Sequence, residues 1–98
     1  MNAARGEAAL AVAGETLVLR PSFEALVAAE EELGPLFALV ERAAAGGLKL
    51  SEMAGLFWHC SSRAVERDRV GAAIAEMGLA KATPVLKVLL TQILQGRV

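Results

Sequence analysis

The chain is expected to fold as α+β, with an N-terminal β-hairpin packed on a bundle of about five short α-helices. Three observations carry that expectation. Apolar residues alternate with a period of two on both sides of Gly14. From Phe23 onward the spacing changes to that of helices. Residues suited to starting helices (Ser22, Pro35, Ser51 and the pair Thr83-Pro84) alternate with glycines suited to ending them: Gly34, Gly46-Gly47, Gly78 and Gly96.

In the hairpin, Leu10 and Val12 alternate with small residues, and Leu17 and Leu19 alternate with Thr16, Val18 and Arg20. One face is therefore buried. Ala13-Gly14-Glu15 supplies the turn, since glycine reaches the positive φ that a tight connection needs. Pro21 closes the second strand and Ser22 caps the first helix. That helix should bury a stripe of Phe23, Leu26, Val27 and Leu33. Glu30, Glu31 and Glu32 crowd its last turn and oppose the helix dipole unless a base answers them; Arg42 and Lys49 are the candidates. The second helix runs from Pro35 to about Ala45, with Leu36, Leu39, Val40 and Ala43 inward and Phe37 to the side.

Leu48-Lys49-Leu50 should bury two leucines and lead to a third helix capped by Ser51. Met53, Leu56, Phe57 and Cys60 recur there at i, i+3, i+4 and i+7, while Trp58 and His59 point elsewhere. A fourth helix, from about Val65 to Met77, should bury Val70, Ala73, Ile74 and Met77. The fifth is expected to be capped by Thr83, to begin at Pro84 and to end at Gly96. A hairpin alone is marginal in water, so its apolar face should pack on the helices.

The order of these elements and their wording, "RGE…VAGETLVLRPSFEAL…EEELG" followed by "LKLSEMAGLFWHC", resembles the gene-transfer-agent family of small phage tail proteins. Its members are usually described as tail assembly chaperones. The likeness runs from Arg5 to Cys60; from about Val65 onward it is only a general pattern of short helices. It implies a cytoplasmic, non-enzymatic protein that binds the tape-measure protein, and other tail proteins besides, during tail morphogenesis. Two other readings stay open: a structural tail component retained in the particle, and a small DNA-binding regulator.

Composition narrows the classes further. Ninety-eight residues make a single domain, 1–98, with no room for a second core. Net charge is −1, which does not suit an electrostatic nucleic-acid binder. Residues 1–49 hold seven acids against four bases and residues 50–98 hold four against six, a mild asymmetry that head-to-tail contacts between copies and ordinary scatter explain equally well. Cys60 is the one cysteine, so no intramolecular disulfide forms. No apolar run approaches the roughly 18 residues of a membrane span. The segment Met1 to Glu7 lacks the apolar core of a signal peptide, consistent with a cytoplasmic protein.

Chemistry has few candidates. His59 and Cys60 are neighbours on a helix and point about 100° apart, too far to act on each other. One His and one Cys fall short of a zinc site, so no catalytic residue, metal or cofactor is expected. Cys60 should be a small core residue, His59 a polar surface residue and the three glutamates a solvated patch. Arg63, Arg67 and Arg69 invite a helix-turn-helix reading, but Glu66 and Asp68 alternate with them and would repel phosphate.

The strongest sign of a partner is helix five. Val85, Leu86, Val88, Leu89, Leu90, Ile93 and Leu94 sweep more than half its circumference, wider than the stripe a one-sided contact needs. Leu86, Leu89, Leu90, Ile93 and Leu94 are the candidate partner-binding residues, facing a second copy or the tape measure. The competing reading makes helix five a central helix wrapped by the others.

Overall fold

In the computed structural model, which describes residues 8–61 and 65–96, the element order is β1 (Ala8–Val12), β2 (Glu15–Leu19), α1 (Phe23–Leu33), α2 (Leu36–Ala44), α3 (Leu50–Cys60), α4 (Arg67–Met77) and α5 (Leu79–Gln95). The α+β class is as expected. The strands pair antiparallel, Ala8 opposite Leu19 and Leu10 opposite Leu17. Ala8, Leu10, Val12 and Leu19 are buried, and β1 packs on α5 and α4. The turn is one residue shorter than expected, because Glu15 already belongs to β2. Both central residues take positive φ, Ala13 at 53° and Gly14 at 83°. This is the geometry whose twist suits a two-residue hairpin.

The central helix is α3, not α5. Met53, Ala54, Gly55, Leu56, Phe57, His59 and Cys60 are all buried, and Trp58 is half-buried. The expected stripe of Met53, Leu56, Phe57 and Cys60 is there, but burial goes most of the way round because α1 and α4 pack against this helix from different sides. Its start lies two residues earlier than expected from a Ser51 cap. Lys49 is the cap residue, and the Glu52 carboxylate reaches back to the Lys49 N–H at 2.9 Å. Leu50 is exposed rather than buried, while Leu48 packs against the core. The exit of the hairpin is pinned to α3 by the Arg20 N–H, which donates to the Cys60 carbonyl at 2.8 Å.

Two helices differ from expectation in instructive ways. In α1, Ser22 caps as expected, its hydroxyl accepting from the Ala25 N–H at 3.2 Å. The buried face, however, is Ala25 and Ala29; Phe23 is 84% exposed and Val27 37%. Helix α5 starts at Leu79, five residues before Pro84. Thr83 caps nothing, and its hydroxyl instead donates to the Leu79 carbonyl at 2.7 Å. Pro84 sits inside the helix and cannot donate to the Ala80 carbonyl. Both residues are exposed, so solvent can serve that carbonyl and the interruption is tolerated.

The turn generates a paired test. A Cβ at Gly14 would meet no atom within 4 Å, so substitution there is opposed by backbone strain alone. Gly14→Val is expected to lower stability by about 1–2 kcal/mol, and Ala13→Gly to raise it by less than about 1 kcal/mol. Thermal and urea unfolding of the two variants checks this; changes of the same sign would mean that the turn is built otherwise.

Candidate partner-binding surface

The polar groups singled out by sequence converge on one carboxylate. Arg67 Nη1 and Nη2 donate to Glu32 Oε1 and Oε2 at 2.8 and 2.5 Å, and His59 Nε2 lies 2.8 Å from Glu32 Oε1. A carboxylate only accepts, so this ring nitrogen carries the proton. The base that answers the acidic end of α1 is thus Arg67 of α4; Arg42 pairs with Glu52 instead. Arg67 reaches Glu32 by crossing α3 at Gly55, where any Cβ would stand 2.5 Å from Nη2. Its guanidinium carbon also lies 5.3 Å from the centroid of the Trp58 ring, at cation–π distance. These hydrogen bonds, from Arg67 first and His59 second, hold the Glu32 carboxyl at about 2, well below its ordinary range.

This cluster ties helices together and does not assemble a reactive centre. His59 is buried rather than on the surface, because it faces Glu32 across the α1–α3 contact; its Nδ1 has no partner among the described residues. Cys60 is buried, and desolvation pushes its thiol up to about 12, so it stays protonated at neutral pH. Among the described residues no three of His, Cys, Asp and Glu gather as metal ligands. Arg69 lies 3.7 Å from Glu66 and Arg67 is engaged by Glu32, which removes two of the three arginines from a phosphate-binding stripe. Arg63 lies outside the described residues.

An apolar groove of about 240 Å³ lies where α1, α2 and the end of α5 meet. Leu26 and Glu30 of α1 form one wall, Leu36, Phe37 and Val40 of α2 the other, and Ile93 and Leu94 close the end. Phe37 is 78% exposed and Leu94 55%. Phe23 and Val27 share the helical face of Leu26 and Glu30 and extend this surface along α1. One part of the rim is braced: Glu30 Oε2 accepts from the Leu36 N–H at 3.0 Å, capping α2 from α1.

The five candidate residues of helix five divide between core and surface. Leu86 and Leu89 are buried, Leu90 and Ile93 are half-buried against the core, and Leu94 is exposed. Only Ile93 and Leu94 reach the groove. Of the rest of its lining, periodicity places Leu26, Leu36 and Val40 on inner faces of α1 and α2, Phe37 to the side and Glu30 in a solvated patch. The available signal was Gly55: a glycine inside an apolar helix marks a close approach, here made by the Arg67 guanidinium and Leu33.

A family model described as "Phage tail tube protein, GTA-gp10" matches residues 5–96. No curated protein and no solved structure matches the chain. No helix among the described residues is long and apolar enough to cross a membrane.

The carboxylate cluster generates a pH test with a definite sign. Glu32 has a lower pKa folded than its ordinary 4.5, so its contribution is complete above that value and disappears as pH falls toward about 2. Its side chain is 40% exposed, and solvent screening limits the contribution to about 1 kcal/mol. Glu32→Gln is therefore expected to be less stable than the parent at pH 7, with the gap closing between pH 4.5 and 2. Gly55→Ala displaces Arg67 but gains about 0.5–1 kcal/mol of helix propensity. Its net stability at pH 7 should be near that of the parent, with the same flattened acid dependence. A gap that stays constant with pH in Glu32→Gln would show that the carboxylate is not held in this way.

Proposed function

The chain belongs to the phage tail tube protein, GTA-gp10 family, and from that premise we propose that it is a component of a phage-like tail that works by protein–protein contact rather than by catalysis. The observation that carries the reading is the apolar groove between α1, α2 and the end of α5, with Phe37 and Leu94 exposed along it. A large aromatic side chain left in water forgoes roughly 1.5–3 kcal/mol, which a partner recovers on covering it. The chemistry of the polar cluster supports the same reading, since Glu32, His59 and Arg67 are committed to one another.

A transient tail assembly chaperone, escorting the tape-measure protein and absent from the finished tail, is the second reading. One observation favours it: the sheet among the described residues has only two strands of five residues each, little from which to close a tube wall by strand pairing. In this reading the same groove takes an apolar stripe of a helical client. The family description favours the retained component.

Particle composition separates the two. Tails purified from producing cells are expected to contain this chain in many copies. The double variant Phe37→Ser with Leu94→Ser should fold normally by circular dichroism yet be depleted from tails by about tenfold or more. Parent protein absent from finished tails but bound to the tape measure in lysates would overturn the retained-component reading in favour of the chaperone.

A further inference from the structure

The groove and the far end of α5 differ in charge, and both expose apolar side chains. Glu30 lines the groove, Glu31 follows Val27 by one turn, and Glu41 follows Phe37 by one turn; all three are exposed. No base on α1 balances them, and the one base of α2, Arg42, is paired with Glu52. The groove is therefore apolar at its floor and acidic at its rim.

The start of α5 itself is not acidic; the nearest acid is Glu76, exposed at the end of α4 two residues before Gly78. Leu79 is 55% exposed and Lys81 is exposed beside it. The first turn of this 17-residue helix holds no acid, and Gly78 offers no side chain to cap it, so the positive end of the helix dipole is left to its surroundings. The whole of α5 carries Lys81 and Lys87 and no acidic residue. A leucine at a positively polarised helix tip is a fitting occupant for an apolar groove with a carboxylate rim.

One copy cannot join the two features. The groove lies at the Ile93–Leu94 end of α5 and the tip at its Leu79 end, about 22 Å away along a helix that rises 1.5 Å per residue. We propose that the groove receives the Leu79–Lys81 tip of α5 from a second copy of this chain, head to tail. Such a contact uses different surfaces on its two sides, so it propagates into a ring or a filament and does not stop at a symmetric pair. Groove-on-groove pairing is disfavoured because it would set two acidic rims against each other. The inference rests on the groove being the contact surface of a tail component, and it names the partner.

The test is a complementation between two folded surface variants, with mass measured by sedimentation over a range of concentrations. The parent is expected to form assemblies larger than a dimer, weakening as salt is raised. The groove variant Phe37→Ser with Leu94→Ser and the tip variant Leu79→Ser with Lys81→Glu should each associate at least about tenfold more weakly. Mixed, they retain one intact groove and one intact tip between them and should form a heterodimer that grows no further. A parent that stays monomeric throughout, or a tip variant that assembles like the parent, would overturn the proposal. Failure here leaves the tail-component reading standing if the chain is found in purified tails; absence from tails with head-to-tail assembly in solution would do the reverse.

Discussion

The contact on which the rest of the arrangement depends is the reach of Arg67 over Gly55 to the Glu32 carboxylate. Helix α3 is buried on nearly every side, so α1 and α4 can be tied to each other only across it. A side chain at position 55 would close that path, since its Cβ would stand 2.5 Å from the Arg67 guanidinium and 3.3 Å from Leu33. Glycine in a helix interior costs about 1 kcal/mol in propensity. Here that cost is offset by a bidentate ion pair and a second hydrogen bond, from His59, to the same carboxylate.

That contact sets the rotation of α1, and the rotation creates the surface. With Glu32, Ala25 and Ala29 turned toward α3, a step of 100° per residue carries Phe23 and Glu30 to the far side of the helix and leaves Leu26 on the flank. Helix α2 then meets that flank, its first turn capped by Glu30, and the end of α5 closes the space. The polar cluster and the apolar groove are consequently two faces of one helix. The first braces the helix whose other side lines the groove.

The architecture was legible because each element announces itself by period or punctuation: the alternation about Gly14, the i, i+3, i+4, i+7 pattern of α3, and the stops at Gly34 and Gly78. Rotation and exact starts were less legible. Reading α1 by side-chain size placed Phe23 and Val27 inside, whereas the helix is seated by its smallest residues, Ala25 and Ala29, against an α3 distant in sequence. Thr83-Pro84 has the form of a helix start, yet Leu79, Ala80 and Lys81 propagate a turn before it and the exposed Pro84 is tolerated. His59 looked like a surface residue because its partner, Glu32, is 27 residues distant. For the candidate surface, Leu94 and Ile93 were identifiable from the over-wide apolar sweep of α5, but Phe37 and Leu26 needed the packing of three helices to bring them together.

The central claim, that the groove beside Phe37 is where this chain meets its neighbours in a tail, is tested most directly by placing a photo-activatable phenylalanine analogue at position 37 and irradiating assembled tails. An identical probe at Ala75, exposed on α4 and outside the groove, serves as the reference. The account predicts that the probe at position 37 is captured by a tail protein in a single dominant adduct while the probe at position 75 is not. Capture at 75 with none at 37 would contradict it.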